Sequence, residues 1–468
     1  MSARPNILII LVDQLTGTLF PDGPAPFLHT PNLRRLADHA LRFQNCYTAS
    51  PLAAPAQATI LSGQLPRRTR VYDNAAGFAS DIPTYAHHLR RAGYYTAVSG
   101  RLHGIGPNPS HGFEDRLTGD TDPAECRWPP DYRKPVGRGD CWYHSLASVA
   151  YAGVTDIANP CDHNDTVALH AVQKLTSLLR GGDPRPWCLT VSFSQPKNPF
   201  VAHRTYWDLY DGAPEREPPE AIVPDAQDPH SQRLMAACDR QSFDITPDHV
   251  RRARQAYFAN LSHVDALIGE VFSVLDATGQ DAIVIFLSDQ GQMLGDRGLW
   301  FAMNFFDPAA RVPLMISAPD LPPGLVTAPV STVDVTPTVA ALAGVTISEV
   351  MPWTDGVNLL PMARGGTGSM VAMEYAGEAS LGPMVALREG AWKYIRCAAD
   401  PELLFDLASD PGERTNLVDD SRAALILDHF RKAADARWDL PRFDAEVRES
   451  QARRRVVHEA LHSGAPLA

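Results

Sequence analysis

The chain alternates short hydrophobic runs with clusters of polar residues. Four largely hydrophobic runs, at 6–12, 94–98, 187–193 and 282–287, are each followed by polar residues, and an amphipathic helical pattern extends over 248–276. Continuous apolar runs of this length are typical of strands that are buried on both faces of a sheet, and a long amphipathic helix can cover such a sheet. The pattern therefore predicts an α/β fold with a buried central sheet.

The pattern changes at about residue 366. Three strand-like segments, at 370–375, 384–388 and 392–396, follow one another, and a charged helix with three consecutive arginines is predicted at 443–462. Strands in direct succession are typical of an α+β unit rather than of a parallel sheet. We predict an α/β domain over 1–365, a smaller α+β subdomain over 366–440 and a tail helix over 441–468.

Two long segments show neither the helical nor the strand period of hydrophobic residues. Residues 108–165 are rich in Pro, Asp and aromatic residues, among them Trp128 and Tyr143, which is typical of an irregular insertion that encloses a substrate. The alternative is that these rings only pack the insertion together. Residues 201–247 are acidic and proline-rich, so we expect a surface loop there.

Composition and charge narrow the classes of function. The chain has 468 residues, 44% of them hydrophobic and 21% charged, with a formal net charge of -12. The negative charge argues against a general affinity for nucleic acid or for anionic membranes. The run at 6–12 is too short to span a membrane, so we expect a first buried strand rather than a signal peptide.

The cysteines indicate a compartment. Their number, seven, is odd, and none of them forms a CxxC pair. We therefore expect reduced thiols in a cytoplasmic protein, and neither a disulfide framework nor a zinc knuckle.

Two of the predicted strands end in similar polar pairs. Asp13-Gln14 follows the first run, and Asp289-Gln290 follows the run at 282–287. Ligands gather at the carboxyl ends of strands in open α/β sheets, and carboxylate and amide oxygens suit hard cations. We predict a divalent metal site, with Ca²⁺ the first choice and Mg²⁺ or Mn²⁺ as alternatives. Asp13 could instead only cap the turn that follows it.

The stretch from 50 to 66 reads as a turn with two prolines, then a short helix that ends at Gly63. A turn that leads into a helix N-terminus collects free N–H groups and suits an anionic ligand. The stretch resembles the signature of type I sulfatases in the alkaline phosphatase superfamily, most closely that of choline sulfatases, which reads Ser-Pro-x-Cys-x-Pro-Ser-Arg. Residues 288–300 likewise resemble the family's Ser-Asp-His/Asn-Gly and Leu-Gly-x-x-Gly-Leu-Trp. This resemblance implies a mixed sheet sandwiched by helices and a smaller C-terminal subdomain.

The chain departs from the family at the catalytic centre. Ala53 stands where the family has the Cys that is oxidised to formylglycine, Gln57 where it has Arg, and Ala302 where it has Lys. A methyl group cannot be oxidised to an aldehyde, so we expect no formylglycine and no attack by it. Several changes at separate positions favour natural divergence over a laboratory substitution.

Other family positions keep their chemistry. The family's Lys and His at the end of one strand correspond to Arg101 and His103, and its His-Pro-Lys corresponds to Gln195-Pro196-Lys197. These side chains would act on the ester oxygens and the leaving group, although a histidine in a loop can also be a plain surface residue. The resemblance further assigns the aromatic insertion to a quaternary ammonium pocket. Thr59 and Asn74 are candidate ligand contacts.

The favoured prediction is a repurposed metal-dependent hydrolase that acts on a small polar or charged molecule, with a metal-bound water or His103 in place of the covalent nucleophile. One alternative is a catalytically silent protein that binds a small molecule or regulates a partner. Another is a Cys-to-Ala variant of a choline sulfatase-like ester hydrolase. By resemblance, the tail helix would reach across subunits, which predicts a homo-oligomer, a dimer or tetramer. The alternative is a solvated terminal helix.

Overall fold

The computed structural model describes residues 4–104, 110–120, 131–132, 144–156, 159–181, 183–217 and 219–462. The strands in these residues are β1 Asn6–Asp13, β2 Leu41–Tyr47, β3 Tyr95–Gly100, β4 Asp115–Arg116, β5 Gly153–Val154, β6 Trp187–Pro196, β7 Val201–Ala202, β8 Ala282–Ser288, β9 Met293–Leu294, β10 Trp300–Phe301, β11 Arg311–Ser317, β12 Gly324–Val326, β13 Val330–Ser331, β14 Val371–Tyr375, β15 Met384–Glu389, β16 Trp392–Cys397 and β17 Asp400–Asp406. The α-helices are α1 Pro31–Asp38, α2 Ala53–Ser62, α3 Pro66–Thr69, α4 Tyr85–Arg91, α5 Ala147–Ala150, α6 Asn159–Leu179, α7 Arg204–Trp207, α8 Pro229–Ala237, α9 Pro247–Thr278, α10 Asp307–Ala310, α11 Val335–Leu342, α12 Ile347–Val350, α13 Ala424–Arg437 and α14 Leu440–His462.

The central sheet is mixed, which confirms the predicted α/β class. Its strand order is β12-β2-β11-β8-β1-β6-β3-β4, and β13 also pairs with β2. β1 lies parallel to both β6 and β8 at the centre, whereas β11 is antiparallel to β8 and β2. The hydrophobic run at 6–12 therefore forms the middle of the sheet.

Helices cover both faces of this sheet. Side chains alternate along β1, so Leu8 and Ile10 pack among residues of α6 and α9, while Ile7 and Ile9 pack among residues of α2, α4 and α11. This arrangement confirms that the sheet is sandwiched by helices.

The C-terminal subdomain is a four-stranded antiparallel sheet, in the order β14-β15-β16-β17. Phe430 of α13 stacks on Tyr394 of β16, with ring centroids 5.9 Å apart. Lys393 of β16, fully buried, joins this unit to the main domain, because its ammonium donates to Phe305 O (2.9 Å) and to Asp307 Oδ1 (2.6 Å). The subdomain thus holds the segment that follows Ala302.

The segment 201–247 differs from the predicted surface loop. It contains α8, whose His230 and Leu234 are buried. Asp228 caps this helix by accepting from Ser231 N at 3.0 Å, and Pro229 occupies its first position. Pro229 therefore begins a helix, although prolines in this segment favour the prediction of a loop.

The predicted insertion at 108–165 also ends earlier than expected, because α6 begins at Asn159. Trp128 and Tyr143 lie outside the described residues.

Two further findings concern the cysteines and α9. The five cysteines in the described part of the chain, Cys46, Cys161, Cys188, Cys238 and Cys397, are free thiols. Among the described residues, α9 is the one helix long and apolar enough to cross a membrane by length and composition, and 67% of its most apolar window is buried inside the fold. A core helix passes the same test.

Candidate functional site

Asp13 and Asp289, the two carboxylates that are predicted to bind a metal ion, lie side by side. β1 and β8 pair in parallel with Val12 opposite Ser288, so the next residues, Asp13 and Asp289, leave the sheet at the same edge. Gln14 N donates to Asp289 Oδ1 at 3.1 Å. Both carboxylates are buried, with 1% and 0% of their residue surface exposed.

The N-terminal end of α2 faces this pair. Ala53 is the first residue of the helix, and Gln57, one turn later, donates from Nε2 to Asp289 Oδ2 at 3.1 Å. Gly63, with φ +70°, ends the helix as predicted. The segment that carries Ala302 joins the same turn, because Met303 N donates to Pro51 O at 2.9 Å. The substituted positions are therefore brought into one neighbourhood.

Two cations converge on one oxygen of Asp13. Arg101 Nη1 lies 2.5 Å and Lys197 Nζ 2.7 Å from Asp13 Oδ2. Arg101 also contacts the Nδ1 atom of His103, at 3.4 Å from its Nη2. The predicted cationic residues thus surround the predicted metal ligand.

A strained loop holds Arg101 and His103 in place. It begins at Gly100, whose φ is +108° and where an added Cβ would lie 1.9 Å from Ser192 O, so only glycine fits there. Asp120 accepts from Leu102 N at 3.0 Å and from Gly104 N at 3.1 Å. His103 itself has φ +47°, an unusual conformation that is often found at functional sites.

Four buried oxygen atoms at this place have no hydrogen-bond donor: Asp13 Oδ1, Gln14 Oε1, Gln57 Oε1 and Gln290 Oε1. A buried acceptor without a partner costs about 1–3 kcal/mol, so four of them in one neighbourhood call for a common partner. A hard divalent cation binds six to eight oxygen ligands of the carboxylate and amide type. The residues present therefore fit such a cation.

The charges of the site also favour a cation. Burial, together with the carboxylate of Asp13, raises the pKa of Asp289 well above its usual range. A cation bound between the two carboxylates would reverse this effect, because it stabilises their ionised form.

Sequence reasoning missed His144. Burial lowers the pKa of His144 to about 4, while the carboxylate of Asp13 raises it and Arg101 lowers it. The imidazole is thus neutral at pH 7 and lies within the field of both groups. Its ring also packs against Phe301, with centroids 5.1 Å apart. His144 directly follows Tyr143 in the insertion, which has no hydrophobic period that would single out a histidine.

Three candidate ligand contacts are engaged inside the fold instead. Thr59 Oγ1 donates to Pro55 O of its own helix at 2.9 Å, and Asn74 Oδ1 accepts from Ala54 N at 3.0 Å. The amide of fully buried Gln195 lies between Asn164 Nδ2 (3.0 Å from its Oε1) and Cys161 Sγ (3.3 Å from its Nε2). These contacts position α2 and the end of β6, and a ligand contact by the three residues stays a prediction.

Comparison with known families gives two matches. The family described as Sulfatase matches residues 5–345, and the family described as N-sulphoglucosamine sulphohydrolase, C-terminal, matches residues 295–437.

Individual proteins agree with these matches. The chain is 57% identical to a choline-sulfatase of Rhizobium meliloti (strain 1021), over 99% of this chain and 93% of the relative. It is 28% identical to the multifunctional alkaline phosphatase superfamily protein PehA of Trinickia caryophylli, over 94% of this chain and 96% of that protein. Among solved structures, the phosphonate monoester hydrolase SpPMH from Silicibacter pomeroyi has the same fold, with a TM-score of 0.74, 24% identity and coverage of 92% of this chain and 94% of that one.

Proposed function

The chain belongs to the sulfatase family, and we propose that this hydrolase cleaves esters of small polar or charged molecules with a divalent metal ion and without a formylglycine nucleophile. The observation that carries the proposal is the group of four donor-less buried oxygens beside Asp289, below the N-terminus of α2. These atoms are the ligands that a hard cation prefers.

Position 53 cannot supply the nucleophile of the reaction. The side chain of Ala53 is a methyl group, which offers no atom for covalent attack. Water is the remaining nucleophile for hydrolysis, and it needs to be oriented and to lose a proton.

The residues of the site divide these tasks. A divalent ion held by Asp13, Gln14, Asp289 and Gln290 would supply Lewis-acid chemistry to an ester oxygen or to water. Arg101 and Lys197 would offset the negative charge that develops on the ester oxygens. His103, which Arg101 contacts, is placed to accept or return a proton.

The substrate class follows from the relatives. The 57% identical relative is named a choline-sulfatase, so choline-type esters are the first class to test. The N-terminus of α2 would bind the anionic end of such an ester.

A second candidate function is binding without turnover. Asp13 Oδ2 accepts from two cations and Asp289 Oδ2 from Gln57, so a polar network fixes both carboxylates beside the four oxygens that have no donor. Such a network holds a ligand equally well if no water is activated.

The two candidates are separated by one experiment. Purified protein is stripped with a chelator and given Ca²⁺, Mg²⁺ or Mn²⁺, and release of sulfate from choline sulfate and 4-nitrophenyl sulfate is measured. We expect metal-dependent release that Asp13→Asn abolishes, with Asp22→Asn, an exposed carboxylate, as the control. Calorimetric binding of choline sulfate without release would instead identify a binding protein. Labelling of the native protein by an aldehyde reagent would contradict the proposal.

Two variants test whether the residues at positions 53 and 57 account for the absence of formylglycine-dependent catalysis. Ala53→Cys, co-expressed with a formylglycine-generating enzyme, is expected to acquire the aldehyde but little sulfatase activity, because position 57 carries no cation. A unit cation 4 Å from an anionic oxygen contributes about 4 kcal/mol at an effective dielectric near 20. Ala53→Cys/Gln57→Arg should therefore be at least about 100-fold faster on choline sulfate. Equal rates in the single and double variants would refute this explanation of the low activity.

A further inference from the structure

A second group of metal-ligating side chains lies outside the site described above. Cys161 belongs to the first turn of α6, His203 precedes α7, and His263 belongs to α9. One ligand atom of each residue lies within 4.8 Å of the others. Asp165, one helical turn after Cys161, approaches the same place, since its Oδ1 lies 2.8 Å from His263 Nε2.

His203 and His263 show features that are common among metal-binding histidines. His263 is 5% exposed, one of its ring nitrogens contacts Asp165, and the other, Nδ1, is buried without a hydrogen-bond partner. The rings of His203 and His263 are nearly perpendicular, at 83°, with centroids 5.5 Å apart. A buried ring nitrogen without a partner is an unsatisfied group that requires an explanation.

Cys161 adds a soft ligand. It is fully buried, and the Nε2 atom of Gln195 donates to its sulfur at 3.3 Å. A hydrogen bond of this kind orients a metal ligand from behind, as the neighbours of metal ligands commonly do. Burial raises the pKa of the Cys161 thiol, so at neutral pH its ionised form requires a neighbouring positive charge.

We propose that Cys161, His203 and His263 form a second metal site, for a zinc-type ion, with Asp165 orienting the His263 ring through its other nitrogen. Zinc binds thiolate and imidazole ligands in tetrahedral sets, with metal–ligand distances of about 2.0–2.3 Å, which requires ligand atoms roughly 3.5 Å apart. Half-buried His203 can close this distance by turning about its side-chain bonds.

The site would tie together three parts of the fold. α6 and α9 pack against each other on one face of the sheet, and His203 adds the segment between β7 and α7. Through Gln195 the same cluster contacts the end of β6, two residues before Lys197 of the first site. The two sites differ in ligand type, because the first offers only oxygen and the second sulfur and nitrogen, so they select different metals.

Metal content provides the test. The full-length protein, purified without chelator and then dialysed against zinc-buffered solution, is analysed for zinc by mass spectrometry. We expect one zinc per chain in the wild type and in Asp289→Asn, and none in Cys161→Ser or His203→Ala. Cys397→Ser, which changes another buried cysteine, serves as the matched control and should keep its zinc.

Cobalt substitution identifies the ligands. Co²⁺ bound at this site is expected to show a thiolate-to-cobalt charge-transfer band that Cys161→Ser loses and Cys397→Ser keeps. Circular dichroism reports whether each variant is folded, and partly exposed His203 can be replaced without opening the core. Absence of zinc from the folded wild type, or equal zinc in wild type and His203→Ala, would overturn the proposal.

Discussion

At the scale of single residues, Asp289 organises the candidate metal site. It is fully buried and accepts from Gln14 N and Gln290 N at Oδ1 and from Gln57 Nε2 at Oδ2. Three donors on one carboxylate fix its orientation, and the oxygens of the same neighbours remain without donors. Asp289 therefore both orders its neighbours through hydrogen bonds and supplies negative charge to the site.

Replacing Asp289 with Asn should remove divalent ion binding. The substitution deletes a negative charge and replaces one acceptor oxygen with an NH₂ group that faces the donors of Gln57 or Gln14. The divalent ion, which is the common partner of the donor-less oxygens, is then bound less well. We expect wild-type protein to melt several degrees higher with Ca²⁺ than with chelator, and this shift to vanish in the variant. Asp276→Asn, at an exposed ion pair with Arg35, should keep the full shift. A shift retained in Asp289→Asn would show that the ion binds elsewhere.

At the scale of elements, the contact between β16 and α10 secures the segment next to the site. The ammonium of Lys393, fully buried, lies 2.6 Å from Asp307 Oδ1 and 2.7 Å from Glu413 Oε1. Burial raises the pKa of Glu413, and Lys393 opposes that effect, while Arg311, 3.5 Å from Asp307 Oδ2, is a second cation beside Asp307. Lys393 is thus the cation that the two buried carboxylates share.

Lys393→Met is therefore expected to destabilise the protein strongly. Removing one partner of a buried ion pair typically costs about 3–5 kcal/mol, because the remaining charges lose their compensation. Urea unfolding, followed by tryptophan fluorescence, should show a much lower midpoint. The comparison is Lys432→Met at an exposed pair with Asp428, for which we expect a change of at most about 0.5 kcal/mol. Similar midpoints for both variants would show that the buried network adds nothing.

At the scale of the whole molecule, buried carboxyl groups make stability depend on pH. Burial raises the pKa of Glu374 to about 7, that of Glu378 to about 7 and that of Asp334 to about 6. In the unfolded chain these groups ionise near their usual pKa values, so the folded state binds more protons between about pH 4.5 and 7. Their contribution to stability is present below about pH 4.5 and is lost as the pH rises through 7.

Glu378→Gln should flatten this dependence. The amide does not titrate, so the part of the loss that belongs to Glu378, on the order of 3 kcal/mol for a pKa difference of this size, disappears. Unfolding free energies measured at intervals from pH 4.5 to 7.5 check the slope. Glu220→Gln, at an exposed ion pair with Arg414, serves as the matched control. An unaltered slope in Glu378→Gln would assign the pH dependence to other groups.

Sequence reasoning succeeded where a local pattern carries the information. The runs at 6–12 and 282–287 became β1 and β8, and Gly63 ends α2. It did less well where contacts are distant: the pattern predicts a loop where α8 lies, and it gives no sign that Gln195 contacts Cys161. The period of a segment reports how it is buried and not what it contacts.

The sequence by itself determined that two buried strands end in Asp-Gln pairs, and that the side chain at position 53 is a methyl group. Only the tertiary structure decided that Arg101 and Lys197 share one oxygen of Asp13, that His144 lies within the field of Asp13 and Arg101, and that Cys161, His203 and His263 converge. The physical reason is that hydrophobic periodicity is a local property, whereas these contacts join residues from distant parts of the chain, which only the packing of helices on the sheet brings together.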